Sequence, residues 1–204
     1  MQTLANLQAT EPATGPSVRV TIKPTNDPVT IEEAKRQLNI AASDEAHDER
    51  LADLIQEATE TWEADTHTKM ITQTIEHVQE RWEPNIRLSF RPLQSVSSVK
   101  YRDSAGTLQT VSASDYKLDI PNALVRFRRQ YTVPTYQEEW DAWQIVYVAG
   151  YGANTTDVSQ LDRGAILMLV AHKFETPDML YSTAIYDDSR YAQLVYKRMR
   201  ATYP

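Results

Sequence analysis

Trp143-Gln144-Ile145-Val146-Tyr147-Val148-Ala149-Gly150-Tyr151-Gly152 is the stretch that decides how this chain is organised. Apart from Gln144, its first six residues are β-branched or aromatic, the composition of a strand. Two glycines close it, and a polar loop over residues 153–157 follows. Leu161, Ile166, Leu167, Met168, Leu169, Val170 and Phe174 then fall in one helical window. They point in nearly every direction, so the reading predicts a helix buried on all sides, with the other elements packed around it. Gly150-Tyr151-Gly152 lacks the third glycine of a dinucleotide fingerprint, and the turn reads as a structural joint.

Working upstream, the pattern has period two from Ile71. Ile71, Gln73, Ile75, His77 and Val78 begin one strand, and residues 86–90 form another. Residues 96–101 lead through Asp103-Ser104-Ala105-Gly106 into 107–111, a hairpin with glycine at the bend. Residues 116–118 and 124–127 continue the series. Strands at this spacing, with no helix between them, predict a small antiparallel sheet or barrel inserted between two helical parts.

The first helical part opens at Thr30-Ile31-Glu32-Glu33, a capping box that starts a short helix through Leu38. A second helix is predicted from Asp44 to Asp65, with Leu51, Leu54, Ile55, Ala58 and Trp62 as one apolar stripe. Downstream of the joint, Thr176-Pro177-Asp178 breaks the chain. A final helix is predicted from near Asp187-Asp188, an N-cap pair, to about Tyr203. Ala192, Val195, Tyr196, Met199 and Tyr203 would share one face of it, and Arg190, Lys197, Arg198 and Arg200 make it basic.

The fold class is therefore α+β, a small helical bundle with an inserted antiparallel sheet or barrel-like subdomain and an extended N-terminal arm. The division is an arm over residues 1–28, with a short strand at 18–22, a first helical part over 29–69, the β insertion over 70–152, and a second helical part over 153–204. No apolar run approaches the length of a membrane span, and no signal peptide is read at the N-terminus. There is no cysteine, which excludes disulfides and thiol chemistry.

The net charge of −7 is concentrated. Residues 43–67 hold nine acidic residues and one basic, leaving the rest of the chain near +1. Such a balance argues against general phosphate binding. Arg126, Arg128 and Arg129 form one basic cluster, read as ordinary surface arginines or subunit salt bridges in preference to a nucleic-acid patch. No Walker lysine and no Gly-x-Ser-x-Gly elbow is present. His172 and Glu175 have the spacing of half a metal site, but His47, His67 and His77 are scattered, so His172 reads as a core histidine. No catalytic residue, cofactor or metal ligand is expected. The competing readings are a small acidic enzyme using helix carboxylates or His172, and a stand-alone α+β binding module.

The order of elements, together with Ile71-Thr72-Gln73-Thr74, the run Arg91-Pro92-Leu93-Gln94-Ser95-Val96, Asp115-Tyr116-Lys117-Leu118, Val146 to Gly152 and Ile166 to His172, resembles the head–tail connector (adaptor or head-completion) proteins of tailed bacteriophages, in the form carrying a β insertion. The resemblance covers residues 29–175. It implies a structural protein without catalysis, assembled in the host cytoplasm and located in the virion at the head–tail interface. There it would form a homo-oligomeric ring of twelve copies between the portal protein and a tail-side stopper or tail-completion protein. DNA would pass through the channel without sequence-specific binding. Within that frame the charge on the second helix suggests Asp48, Glu49, Asp53, Glu57 and Glu60 as channel-facing. The basic, tyrosine-rich last helix suggests Arg190, Tyr191, Val195, Tyr196, Arg198, Met199 and Tyr203 as a portal-docking face.

Overall fold

The computed structural model describes residues 16–176 and 189–202. In chain order these residues form β1 (Ser17–Ile22), α1 (Ile31–Gln37), α2 (Asp48–Thr66), β2 (Gln73–Gln79), β3 (Asn85–Arg87), β4 (Leu93–Arg102), β5 (Leu108–Thr110), β6 (Tyr116–Asp119), β7 (Leu124–Phe127) and β8 (Trp143–Ala149). A short 3₁₀ turn at Thr155–Asp157 then leads to α3 (Gln160–Glu175) and α4 (Ser189–Thr202).

All named strands pair antiparallel, in a five-stranded sheet of order β1-β2-β8-β4-β5 and a three-stranded sheet of order β3-β7-β6. β8 lies at the centre of the larger sheet, in unbroken register with β2 from Gln73↔Ala149 to Gln79↔Trp143. Its alternate residues Trp143, Ile145, Tyr147 and Ala149 are buried. They meet Ile86 and Val125 of the smaller sheet in one core, so the insertion is two sheets sharing an interior and not a closed barrel.

The helices enclose a second core. Leu51, Ile55, Ala58 and Trp62 of α2 pack with Ile166, Leu169 and Val170 of α3 and with Tyr191 of α4. α1 is fixed by its capping box, in which Thr30 and Glu33 each bond the other's backbone N–H. Buried Lys35 reaches Asp48 at 2.6 Å and clamps α1 to the start of α2.

The short strand read at 18–22 is present as β1, which adds an edge to the larger sheet and is tied by Arg19 to Glu76 at 2.6 Å. Residues 1–15 lie outside the described residues. Three details differ from the sequence reading. α2 begins at Asp48 and not Asp44, because the Asp44 carboxylate accepts from the Ala46 N–H and holds a turn there. α3 is not buried on every side. Asp162, Ala165, Ile166, Leu169, Val170 and Lys173 face the core, while Leu161 is 40% exposed and Leu167 and Met168 are half-buried. On α4 the inward residues are Tyr191, Leu194, Val195 and Arg198, about one residue round from the expected face. The Tyr191 ring stacks edge-on against Trp62, and its hydroxyl donates to Asp65 at 2.5 Å, so this tyrosine can be fully buried.

Helices and sheets meet at a waist where residues 67–72 and 149–152 cross and the β3–β4 connection at Arg91 and Pro92 is bonded to both. Lys69 N–H donates to Arg91 O at 2.6 Å, Arg91 N–H to His67 O at 3.0 Å, Gly150 N–H to Pro92 O at 3.0 Å and Thr72 N–H to Gly152 O at 2.9 Å. Gly150 has φ +132°, and a Cβ there would lie 2.6 Å from the Ile71 carbonyl and the Thr72 nitrogen. Backbone cannot swing aside as a side chain can, so only glycine fits. Gly150→Ala should therefore lower the unfolding free energy by about 3 kcal/mol, read from urea titration of the full chain.

His77 is buried in β2, with Nε2 3.0 Å from Gln79 Oε1 and no partner for Nδ1 among the described residues. Burial pushes its pKa below the ordinary 6.5, against weaker upward pulls from Gln79 and Glu83. The unfolded chain then binds this proton more readily than the folded one. Stability from neutral His77 is complete above about pH 6.5 and is lost as pH falls toward the folded value. Taking the pH from about 7.5 to about 5.5 should lower the urea midpoint more in the wild type than in His77→Leu.

Candidate assembly surfaces

The acidic α2 carries two populations of carboxylates. Asp48, Glu57, Glu63 and Asp65 are tied inward: Asp48 to Lys35, Glu57 to the buried Lys173 at 2.6 Å, Glu63 to Lys69 at 2.6 Å, and Asp65 to the Tyr191 hydroxyl. Glu49, Asp53 and Glu60 are exposed and recur at helical spacing along the outward face. Of the five residues suggested as channel-facing, Asp48 and Glu57 thus also serve the fold, and Glu49, Asp53 and Glu60 are left as a surface stripe.

Glu63 is the hub of the α2 side of the waist. One carboxylate oxygen takes Lys69 Nζ, and the other takes the Met70 backbone N–H at 2.8 Å and Gln73 Nε2 at 3.4 Å. Lys69 also sits 4.3 Å over the Phe90 ring. A groove of about 280 Å³ opens beside this cluster, between residues 23–28 and α2. Its floor is formed by Glu63, Lys69 and Gln73, which are bonded to one another and so are already satisfied.

Asp162, fully buried in the first turn of α3, organises the other side. It accepts from Trp62 Nε1 at 3.0 Å, from the Tyr151 hydroxyl at 2.6 Å and from the Ser159 hydroxyl at 2.6 Å, and Arg198 Nε lies 3.3 Å away. Burial pushes the Asp162 carboxyl up, opposed by the bonds from Ser159 and Trp62. One carboxylate thus joins α2, the glycine joint, the α3 cap and α4. This residue escaped the sequence reading, although Ser159 and Asp162 stand three apart at a helix start, the spacing of a cap.

On α4, Tyr191 and Arg198 of the suggested docking face are engaged within the protomer and Val195 is half-buried on the core. Tyr196 is 60% exposed and Met199 half-buried, while the Arg190 side chain and Tyr203 lie outside the described residues. His172 is half-buried on α3, and the described residues hold no group of three or more side chains placed to bind a metal. Arg126 is bonded to Asp119 at 2.6 Å, with Arg128 and Arg129 exposed beyond it. No helix among the described residues is long and apolar enough to cross a membrane.

What this geometry offers is surfaces on a rigid frame, and comparison with known proteins agrees. Residues 28–120 match the family described as phage gp6-like head-tail connector protein. Over those residues the chain is similar to head–tail connector proteins. That family is one of connectors and not of enzymes, and the matched segment runs from α1 through β6. Similarity in structure extends further. A chain in the neck of an empty gene transfer agent particle, computed with C6 symmetry, superposes with a TM-score of 0.72 at 17% identity, covering 89% of this chain and 94% of that one. A chain from the neck of the native particle, computed with C12 symmetry, gives 0.69 at 16% identity over 89% and 94%. One from the virion of the native particle gives 0.69 at 17% identity over 88% and 93%. At these identities the likeness shows a shared fold. No curated protein sequence matches the chain.

Because Asp162 satisfies donors from three different elements, its loss leaves them buried and unpaired. Asp162→Ala should cost about 3–5 kcal/mol in urea unfolding, while Asp162→Asn, which keeps an acceptor for Trp62, should cost less.

Proposed function

We propose that this chain is a structural subunit of the neck between head and tail of a phage-like particle. It would close with eleven further copies into a ring beneath the portal protein, above a tail-side stopper or tail-completion protein. The observation that carries this reading is the near full-length likeness to a chain of a neck computed with twelve-fold symmetry. The connector-family match over residues 28–120 supports it independently. Assembly in the host cytoplasm and a final place in the virion follow from the same reading.

The charge distribution suits a conduit. Twelve copies at −7 each carry −84, and a wall of that sign repels DNA phosphates and keeps the duplex mobile. In this reading Glu49, Asp53 and Glu60 line the channel, with Asp48 and Glu57 behind them neutralised by Lys35 and Lys173. DNA passes without sequence-specific contact, because a fixed negative surface offers no donors to base edges. Docking on the portal falls to the outward side of α4, where Tyr196 and Lys197 are exposed and Met199 is half-buried. Tyr191, Val195 and Arg198 hold that helix to the core.

Cryogenic imaging of particles carrying this chain should show a ring of twelve copies at the head–tail junction with residues 48–60 on its inner wall. A ring with α2 on the outer rim would reject the channel assignment alone. Particles whose neck lacks the chain would reject the function.

A further inference from the structure

Of the four tryptophans, Trp62 and Trp143 are fully buried, Trp82 is half-buried, and Trp140 is 71% exposed. Trp140 is not on a slack loop. Gln137 N–H donates to Arg102 O at 3.2 Å, Ala142 N–H to Glu139 O at 3.0 Å, Tyr136 bridges to Asp103, and Asp141 pairs with Arg102. The loop is bolted to the β4–β5 hairpin on both sides, and the indole is exposed, with exposed Glu138 and Glu139 just before it in the chain. An exposed, pre-positioned tryptophan is the side chain most often found at the energetic centre of an interface.

A second uncovered patch lies on β6. Leu118 pairs with the core residue Val125, and Ile120 follows directly on the end of β6; they are 36% and 48% exposed. On the other face Lys117 is opposite Arg126, which is neutralised by Asp119 at 2.6 Å, and Arg87 stands on β3, so Lys117 is the exposed charge at this edge. The two patches sit at opposite ends of the insertion. The β6–β7 turn is bonded to Arg91 at 3.1 Å, just before β4 starts, whereas the Trp140 loop is bonded to Arg102, where β4 ends. With its two bulges β4 runs beside β8 over roughly 23 Å between those ends, so the patches lie well apart within one copy.

We infer that Trp140 anchors the contact between neighbouring copies, seating on Leu118 and Ile120 of the next chain while Glu138 and Glu139 face that chain's Lys117. The inference rests on the ring reading above. It is favoured because a closed ring requires two different, mutually complementary patches on each subunit, and these two are complementary in polarity and in charge. An acidic aromatic tip meets a basic aliphatic rim. Opposite charge then fixes the register and hastens encounter, and the indole supplies the buried area.

Acrylamide quenching of tryptophan fluorescence in the full chain tests it. In the unassembled wild type one component should be readily quenched, and Trp140→Phe should lack it. On assembly that component should become protected. Trp140→Ala should weaken assembly about thirtyfold, measured by mass photometry against concentration. Glu138→Lys with Glu139→Lys should weaken it similarly, and adding Lys117→Glu to that chain should restore it. Rings in which Trp140 stays as quenchable as in the free chain would overturn this contact and leave the ring reading standing. So would a charge-reversed chain not rescued by Lys117→Glu. A wild-type chain that forms no ring, alone or in particles, would overturn both.

Discussion

Where this chain passes between a helical core and a sheet core, no polar backbone group can be left dry. Residues 67–72, 91–94 and 149–152 solve the problem by bonding one another, N–H to carbonyl, across the waist. The solution demands that backbones approach closely, and this is where Gly150 is indispensable. Its positive φ and the nearness of Ile71 leave no room for a side chain. Buried polar clusters flank the crossing. Glu63 with Lys69 and Gln73 closes it on one side, and Asp162 with Trp62, Tyr151 and Ser159 on the other. Each is satisfied by several partners, which makes a buried carboxylate tolerable and its geometry hard to change.

The same requirement explains the division of charge on α2. A helix so acidic would repel itself if all its carboxylates faced water. Lysines from α1 and α3, themselves buried, neutralise Asp48 and Glu57 from within. Only the outward stripe is left to act at a distance, and it acts on whatever lies outside the protomer. Exposed carboxylates contribute little to stability, so the stripe is best understood through its field.

Most of the fold was legible in the residues. Period-two alternation located seven of the eight strands of the structure to within a few residues, and the weak eighth, β1, was anticipated at 18–22. The glycine joint, the Thr30 capping box and the α2 stripe were equally readable, because local chemistry alone determines them. Pairing was not readable. Nothing local says that β8 stands between β2 and β4, or that β1 joins the same sheet, since these are long-range contacts. The faces of α3 and α4 were misjudged for one reason. Polar side chains that are buried because they are bonded, namely Asp162, Lys173, Tyr191 and Arg198, look like surface residues in a hydrophobic pattern. Leu161 and Met168 look like core in the same pattern, yet they are partly uncovered.

That reversal bears on how such a chain can work in an assembly. If the polar residues of α3 and α4 are spent inside, the surface must recognise its neighbours with what remains. Among the described residues the exposed large apolar side chains are few: Ile22, Leu108, Leu118, Ile120, Trp140, Leu161 and Tyr196. Isolated apolar side chains in a charged surround keep a free protomer soluble, because no patch is large enough to aggregate. They become effective only when a partner brings the matching residue and the opposite charge at the same time. A rigid waist is what makes that matching possible. Side chains at opposite ends of the insertion keep a fixed separation only while the crossings hold, and a ring closes only if that separation and angle are the same in every copy.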